Sequence, residues 1–553
     1  MLTRVKSAVA NFMGGVMTTG GPHSGDHGGS HLPLKFPYTR PGFLGLSPDE
    51  VECSADHAAR PILTVRETER LPWATGYAEV INAGKSALNE DQASCELVGV
   101  RRRPLSFCPP ATPPATPSGP SKTPSGTPSG TPSGTPSGTP SGTPSAMRRN
   151  TLPNGHSLLQ MEPAAEEREG LLYHYWALFD GHAGSGVAVM AAHLLHHHLA
   201  GQLQPVVDVL RGPRAAPIVL GEEANAPPLE PGSQRSLCRA TSLRGAAGAP
   251  GAPGGQGGAP CCTPPPRYFM EKKIQHESLV VGALENAFKE MDAQVEREKQ
   301  VFNISGGCTA LVAVYLLGKL YIANAGDSRA IIIRNGDIIY MSSEFTPESE
   351  RRRLQFLGFM QPHLLGRDFT HLEFPRRVQR KEVGKKMLYR DFTMTGWAYK
   401  TVEEEDLRFP LVYGEGKKAR VLATIGVTRG LGDHDLKVHD SNIYIKPFMS
   451  CCPEVKVYNL AQYQHGTDDV LVMGTDGLWD VLSNQEVAEA TTSFLANCDP
   501  DDSHRYTMAA QDLVMRARGA LRDRGWRITN ERLGSGDDIS VFIVPLMYGN
   551  HRL

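Results

Sequence analysis

Acidic residues recur in this 553-residue chain at points where short apolar segments end. They are Glu90 and Asp91 in NEDQA, Asp180 in FDGHAG, Asp327 in NAGDSRA, Asp476 in TDGLWDV, and Asp537 and Asp538 in GSGDDIS. A carboxylate at the end of a strand is held by the sheet and can point into a cleft. Several carboxylates that converge would repel one another unless a cation lies between them.

Ligands that are all oxygen favour Mg²⁺ or Mn²⁺ over zinc. Two such ions about 3.5–4 Å apart can share one water, lower its pKa and hold a phosphoryl group. The alternative for any one motif is ordinary, because an Asp-Gly pair after a strand commonly forms a turn. Five such motifs at strand ends favour the metal interpretation, so the sequence predicts a two-metal hydrolytic centre.

The segments around these motifs predict the elements that must position them. Apolar stretches indicate strands at 173–179, 308–316, 319–324, 329–334, 470–474 and 539–544, and helices at 183–199 and 276–299. Asn335-Gly336 predicts a hairpin turn. Adjacent hairpins with separate helices are typical of an α+β fold in which sheets pack together with helices outside.

Three segments look inserted into this core. Residues 103–169 contain five consecutive TPSG units, and residues 212–266 are rich in Gly, Ala and Pro, so we expect both to be disordered. The third insert (residues 342–418) contains aromatics and a helical opening, which predict order. Between Arg351 and Arg390 it has eleven Lys or Arg against three Asp or Glu, a local excess of positive charge.

Composition narrows the class of protein. A net charge of −2 does not favour a nucleic-acid partner. Ten scattered cysteines without a CxxC pair indicate reduced thiols, and therefore a cytoplasmic or nuclear location. Residues 1–20 place apolar side chains at helical spacing with basic residues among them, which suits an amphipathic helix on a membrane surface. The alternative for this segment is a frayed terminus.

Taken together and in this order, the motifs resemble the metal-dependent protein phosphatases of type 2C. The resemblance extends from residue 77 to residue 545 and includes ISGGCTALVAVYLLGKLYIANAGDSRA, IGVTRGLGD and TDGLWDVLSNQEV. It implies a two-sheet β-sandwich flanked by helices on both sides, with the metals at one end. It also implies hydrolysis of phosphoserine and phosphothreonine in phosphorylated protein substrates.

The resemblance carries roles over to individual residues. It implies metal ligands at Asp91, Asp180, the carbonyl of Gly181, Asp327, Asp476 and Asp537. Asp180 would bridge both ions, Asp327 would belong to a weaker third site, and Glu90 would act through bound water. His182 would be the general acid, a role that suits an ordinary pKa of about 6.5. Its alternative is a structural histidine hydrogen-bonded to a carboxylate.

Two positions depart from the family pattern. Ser86 stands where an arginine that grips the substrate phosphate is usual, so we expect Lys85 to supply a weaker, point-charge contact. The usual Asp-Asn pair is Asp537-Asp538 here, which we expect to add negative charge at the metals. These departures leave open a pseudophosphatase that binds phosphoproteins without turnover.

Three further interpretations concern regulation and support. The charge of the third insert suggests that it selects the protein substrate, with a solvated charged face as the alternative. RRNTLP around Thr151 fits a kinase site and a phosphorylation-dependent adaptor of the 14-3-3 kind. In GVTRGLGD, we expect Arg429 to support the cleft and Asp433 to hydrogen-bond locally.

Overall fold

The structure is a computed structural model that describes residues 35–101, 170–213, 216–218, 220 and 272–550. The predictions for residues 1–20, for 103–169, for Thr151 and for nearly all of 212–266 lie outside the described residues. Among the residues that the structure describes, no helix has the length and apolar character needed to cross a bilayer.

Two antiparallel sheets form the centre of the described chain. In chain order their strands are β1 (Ile62–Thr64), β2 (Gly76–Val80), β3 (Gln92–Val100), β4 (Leu171–Phe179), β5 (Ala310–Leu316), β6 (Lys319–Ala325), β7 (Arg329–Arg334), β8 (Asp337–Tyr340), β9 (Glu454–Asn459), β10 (Val470–Gly474) and β11 (Ile539–Pro545). The first sheet has the spatial order β1-β2-β11-β10-β7-β8, and the second has the order β9-β6-β5-β4-β3.

Alternation along the strands explains why the sheets pack face to face. Successive side chains of a strand point to opposite faces. In β4, Tyr175 and Ala177 pack against helices, whereas Trp176 and Leu178 pack in a cluster shared with the first sheet. Both faces of β4 therefore pack against apolar groups, which explains why its sequence is a continuous hydrophobic run.

Helices cover the outer faces of both sheets. In chain order the helices are α1 (Pro48–Ser54), α2 (Gly186–Leu203), α3 (Val207–Arg211), α4 (His276–Glu298), α5 (Arg351–Met360), α6 (Asp476–Trp479), α7 (Asn484–Ala496) and α8 (Arg505–Arg518). The second sheet packs against α2 and α4, and the first sheet packs against α7 and α8. This arrangement confirms the predicted α+β sandwich flanked by helices on both sides.

The element predictions differ from the structure chiefly at their ends. The helix predicted over 183–199 begins only at Gly186, because Gly181–His182 pairs as a short strand with Gly307–Cys308. The predicted strand 308–316 is divided for the same reason. The Asn335-Gly336 turn joins β7 to β8 with positive φ at both residues, as a tight hairpin of this kind requires.

The third insert is ordered and packs around an apolar cluster. It contains α5 and a two-stranded ribbon of Lys386–Tyr389 with Ala398–Thr401. Leu354 and Leu411 pack there with Phe448, which lies thirty residues after the insert ends. The insert therefore shares a core with the segment that follows it.

Replacing Trp176 with alanine should destabilise the sandwich strongly. Trp176 is fully buried between the sheets, and its Nε1–H donates to Thr75 Oγ1 at 2.9 Å. Loss of a buried tryptophan commonly costs about 3–5 kcal/mol, and urea unfolding measures this free energy. Trp397→Ala is the control, because Trp397 is 40% exposed in the third insert. Equal losses in the two variants would contradict the assignment of Trp176 to the central core.

Candidate metal centre

Three carboxylates from different parts of the chain meet at one end of the sandwich. Asp180 follows β4, Asp327 lies between β6 and β7, and Asp476 follows β10. One carboxylate oxygen from each lies within 4.8 Å of the others. Central strands of both sheets therefore deliver the acidic residues to a common point.

Close backbone approaches bring these loops together. A Cβ atom added to Gly477 would lie 1.9 Å from the carbonyl oxygen of Asp538, so only glycine allows α6 to approach the GSGDDIS loop. The buried Asn324 Nδ2 donates to the carbonyl oxygens of Ser328 and Ser343, at 3.0 and 2.8 Å. These two hydrogen bonds close the loop that carries Asp327.

Asp91 and Asp537 lie at the edge of the same cluster. Asp91 is buried, and its Oδ2 accepts a hydrogen bond from Thr475 Oγ1 at 2.8 Å. Thr475 directly precedes Asp476, so this bond joins the NED loop to β10. Asp537 Oδ2 accepts from Lys85 Nζ at 2.5 Å.

Burial and mutual repulsion raise the pKa of these carboxyl groups. Burial raises the pKa of Asp180 well above its ordinary value, and the charges of Asp476 and Asp91 raise it further. Burial raises the pKa of Asp327 to about 6. An oxygen-only cluster with this excess of negative charge fits hard divalent cations, which would offset the repulsion.

Asp538 anchors the loop that carries Glu90 and Asp91. Its carboxylate accepts hydrogen bonds from the backbone N–H of Asn82 at 2.8 Å and of Glu90 at 3.1 Å. Burial raises the pKa of Asp538 to about 6. Burial is the largest cause of the raised pKa of Asp91, and the charge of Asp538 is the second largest. The residue therefore holds the loop as well as adding negative charge.

His182 is paired with Asp433, whereas the sequence analysis expected Asp433 to hydrogen-bond locally. His182 Nε2 lies 2.8 Å from Asp433 Oδ2, although the residues are 251 positions apart. Burial lowers the pKa of His182, but the Asp433 carboxylate, together with the charges of Asp327 and Glu90, raises it and the net shift is upward. A Cβ atom at Gly307 would lie 2.1 Å from Asp433 Oδ2, so a glycine there makes room for the pair.

A buried residue that the sequence analysis missed, Asp292, fixes the loop that carries Asp433. Asp292 Oδ1 accepts from the N–H of Gly432 at 2.9 Å and from Lys446 Nζ at 2.7 Å. His434 Nε2 lies 3.2 Å from the same oxygen. Its spacing in the sequence was the available signal. Asp292 follows Met291 and lies four positions after Phe288, so helical periodicity places it on the apolar side of α4.

The remaining predicted residues lie around the cluster in different ways. Gly181 pairs with Cys308, and a Cβ atom on it would lie 2.4 Å from the carbonyl oxygen of Glu90. Glu90 Oε1 accepts from the N–H of Gly184 at 2.6 Å. Burial would lower the pKa of Lys85, but Asp537 raises it and the net shift is upward. Lys85 thus neutralises a predicted ligand, and its contact with phosphate remains a prediction.

Asp480 and Arg429 complete the surroundings. The sequence analysis did not single out Asp480, although its charge contributes to the raised pKa of both Asp327 and Asp476. Asp480 forms an ion pair with Lys417 of the third insert. Arg429 pairs with Glu350 at 2.8 Å and lies over the ring of Phe345, so it supports the cleft wall.

Comparison with known proteins agrees with this geometry. The family model described as Protein phosphatase 2C matches residues 253–385 and 403–520. Protein phosphatase 1H of Homo sapiens is 66% identical to the chain, over 100% of this chain and 99% of that protein. Protein phosphatase 1H of Danio rerio is 64% identical with the same coverage. Protein phosphatase 1J of Homo sapiens is 51% identical, over 92% of this chain and 86% of that protein.

The family model begins after Asp91 and Asp180, whereas the alignments with whole relatives include both residues. Identity of this degree over nearly the full length of both sequences extends well beyond a few acidic motifs. The chain belongs to the protein phosphatase 2C family.

Proposed function

We propose that this chain is a serine/threonine protein phosphatase that uses two Mg²⁺ or Mn²⁺ ions to hydrolyse phosphoserine and phosphothreonine esters in proteins. The observation that carries the proposal is the convergence of Asp180, Asp327 and Asp476 at the end of the sandwich. Three half-buried carboxylates at such distances are strongly unfavourable without cations, and these three residues offer no nitrogen or sulfur ligand.

The roles implied by the family resemblance fit this cluster. Asp180 would hold both ions, with the carbonyl of Gly181 beside it. Asp91 would complete one site, Asp476 and Asp537 would complete the other, and Asp327 would serve a weaker third ion. When bound, the ions lower the pKa of a shared water and screen the phosphoryl charge.

His182 supplies the proton that the leaving oxygen needs. An alkoxide of serine or threonine is a poor leaving group unless it is protonated as the P–O bond breaks. The Asp433 carboxylate at 2.8 Å favours the protonated imidazole, and Asp292 fixes the loop that carries Asp433. The imidazole donates its proton to the seryl or threonyl oxygen and is neutral after the step.

Lys85 is available to the phosphate once a cation neutralises Asp537. The Lys85 side chain is 52% exposed and touches the metal centre through its ammonium group. It then provides a point charge in place of the bidentate arginine fork. No observation favours the pseudophosphatase alternative, because every predicted carboxylate ligand is present and lies in or beside the cluster.

The third insert selects the protein substrate. Several of its cations are already neutralised, as in the pairs Arg390–Glu373 and Arg376–Glu382. Others are exposed, including Lys381, Lys385 and Lys386. These cations would attract an acidic surface on a phosphorylated protein. The ion pair between Lys417 and Asp480 attaches the insert directly to the edge of the metal centre.

Sequence features alone support three further parts of the proposal. Residues 1–20 contact a membrane surface through an amphipathic helix, and the enzyme works in the cytoplasm or nucleus. Phosphorylation of Thr151 recruits an adaptor protein. Binding of residues 1–20 to anionic vesicles and phosphopeptide mapping of Thr151 would test two of these parts.

Asp180→Asn should abolish metal-dependent turnover. The substitution removes the charge of the bridging carboxylate, so we expect kcat on a phosphothreonine peptide with Mn²⁺ to fall by more than about 100-fold, the upper range for loss of an outer metal-site partner. Asp337→Asn is the matched control, because Asp337 is exposed at the start of β8. Retention of most of the activity in Asp180→Asn would contradict the bridging role.

Asp433→Asn should move the high-pH limb of kcat to lower pH. Asp433 holds the pKa of His182 above its ordinary value, so the wild-type imidazole stays protonated to a higher pH than a free histidine. Without that charge the proton is lost earlier as pH rises. The measurement is kcat against pH with a phosphothreonine peptide. Asp435→Asn, two positions away and 79% exposed, should leave the profile unchanged. An unaltered profile in Asp433→Asn would exclude His182 as the acid.

Reversing the charge of Lys381, Lys385 and Lys386 to glutamate should weaken recognition of phosphorylated proteins. We expect the ratio of kcat/KM for a phosphoprotein to that for p-nitrophenyl phosphate to fall about tenfold or more, with weaker salt dependence. The same reversal at Lys272, Lys273 and Lys289, which are exposed near or on α4, controls for net charge. An equal fall of this ratio in both triple variants would contradict the proposal that the third insert selects the substrate.

A further inference from the structure

A cavity of about 350 Å³ lies beside the metal centre, next to Glu90. Its floor is formed by Met190, which is buried in α2, and by Ile304 from the loop before β5. Leu88 stands at its rim with 39% of its surface exposed. Asn303 also lines the cavity and is exposed.

The cavity and the metal centre share a wall. Glu90 directly precedes the predicted ligand Asp91, and its Oε1 accepts from the N–H of Gly184 at 2.6 Å. Gly184 also lines the cavity and lies two residues after His182. A phosphorylated side chain that reaches the aspartates therefore brings its neighbouring residues to the mouth of this cavity.

The chemistry of the lining favours an apolar side chain. The charged groups at the rim already have partners, because Lys35 pairs with Glu298 and Glu90 is hydrogen-bonded to Gly184. The loop that carries Leu88 is preformed, since Leu88 O accepts from Ser86 Oγ at 2.7 Å. A volume of about 350 Å³ is at the lower end of the usual range of about 300–1,000 Å³ for ligand pockets. It has room for one or two side chains of an extended peptide.

We propose that this cavity is a substrate subsite that binds an apolar side chain close in sequence to the phosphorylated serine or threonine. The inference rests on the proposed phosphatase function and deepens it by adding a local sequence preference. The third insert recognises the surface of the protein substrate, whereas this subsite binds a side chain close in sequence to the phosphorylated residue. Leu88, Met190 and Ile304 determine that preference.

The test uses the full chain with Mn²⁺ and a set of phosphothreonine peptides. Each of the three positions on either side of the phosphothreonine is set in turn to Ala, Leu or Glu. We expect one position at which Leu gives a kcat/KM about tenfold above Ala, the size of effect that one apolar contact produces, and Glu gives no such gain. Leu88→Lys places a charge at the rim, and Asn303→Trp narrows the cavity from a different loop.

The readout is the ratio of kcat/KM for the Leu peptide to that for the Ala peptide, which does not depend on absolute activity. It should fall to about one in Leu88→Lys and in Asn303→Trp. The control Leu172→Lys, at the far end of β4 and 46% exposed, should keep the wild-type ratio. Because the two variants act from different loops, a local disturbance of Lys85 cannot explain the same loss in both.

Four results would overturn the inference. No preference for Leu at any position, or an unchanged ratio in both variants, would show that the cavity does not read the substrate. Deletion of residues 1–34 that raises kcat/KM equally for every peptide, without revealing a preference, would assign the cavity to the chain's own N-terminal segment. Absence of hydrolysis of every peptide by the wild type would instead overturn the proposed function itself, and the inference with it.

Discussion

Repulsion among clustered carboxylates is the constraint on which the rest of this structure depends. Asp180, Asp327 and Asp476 present oxygens within 4.8 Å of one another, and Asp91 and Asp537 lie beside them. Like charges at such distances in a poorly solvated place cost several kcal/mol or raise the pKa of the groups. Only a rigid scaffold keeps them together, and only cations make the arrangement favourable.

The scaffold meets this constraint through many specific contacts. Central strands of both sheets end at the cluster, so the core between the sheets fixes where the loops begin. Gly477 permits the close approach of two acidic loops, and Asp538 ties down the loop that carries Asp91. On the other side, Asp292 in α4 holds the loop of Asp433, and Asp433 holds His182. The outer helices therefore contribute to the geometry of the centre.

Much of this architecture could be predicted because its signals are local. Continuous apolar runs located β10 without error and β4 to within two residues, and Asn335-Gly336 located a hairpin. The acidic motifs indicated a cluster because each one lies at an end of a strand. Local signals could not predict the pairing of Asp433 with His182 or of Asp292 with Gly432, because the partners lie 251 and 140 positions apart in the sequence. The anchoring role of Asp538 likewise depends on a contact with Asn82 across the fold.

The most direct test of the central claim is electron paramagnetic resonance of the purified chain titrated with Mn²⁺. Two ions bridged by Asp180 would lie about 3.5–4 Å apart, close enough for their spins to couple. The account predicts that a coupled spectrum develops as the second equivalent of Mn²⁺ is added and that it is missing in Asp180→Asn. A spectrum of isolated Mn²⁺ ions at every stoichiometry, or no bound Mn²⁺, would contradict it.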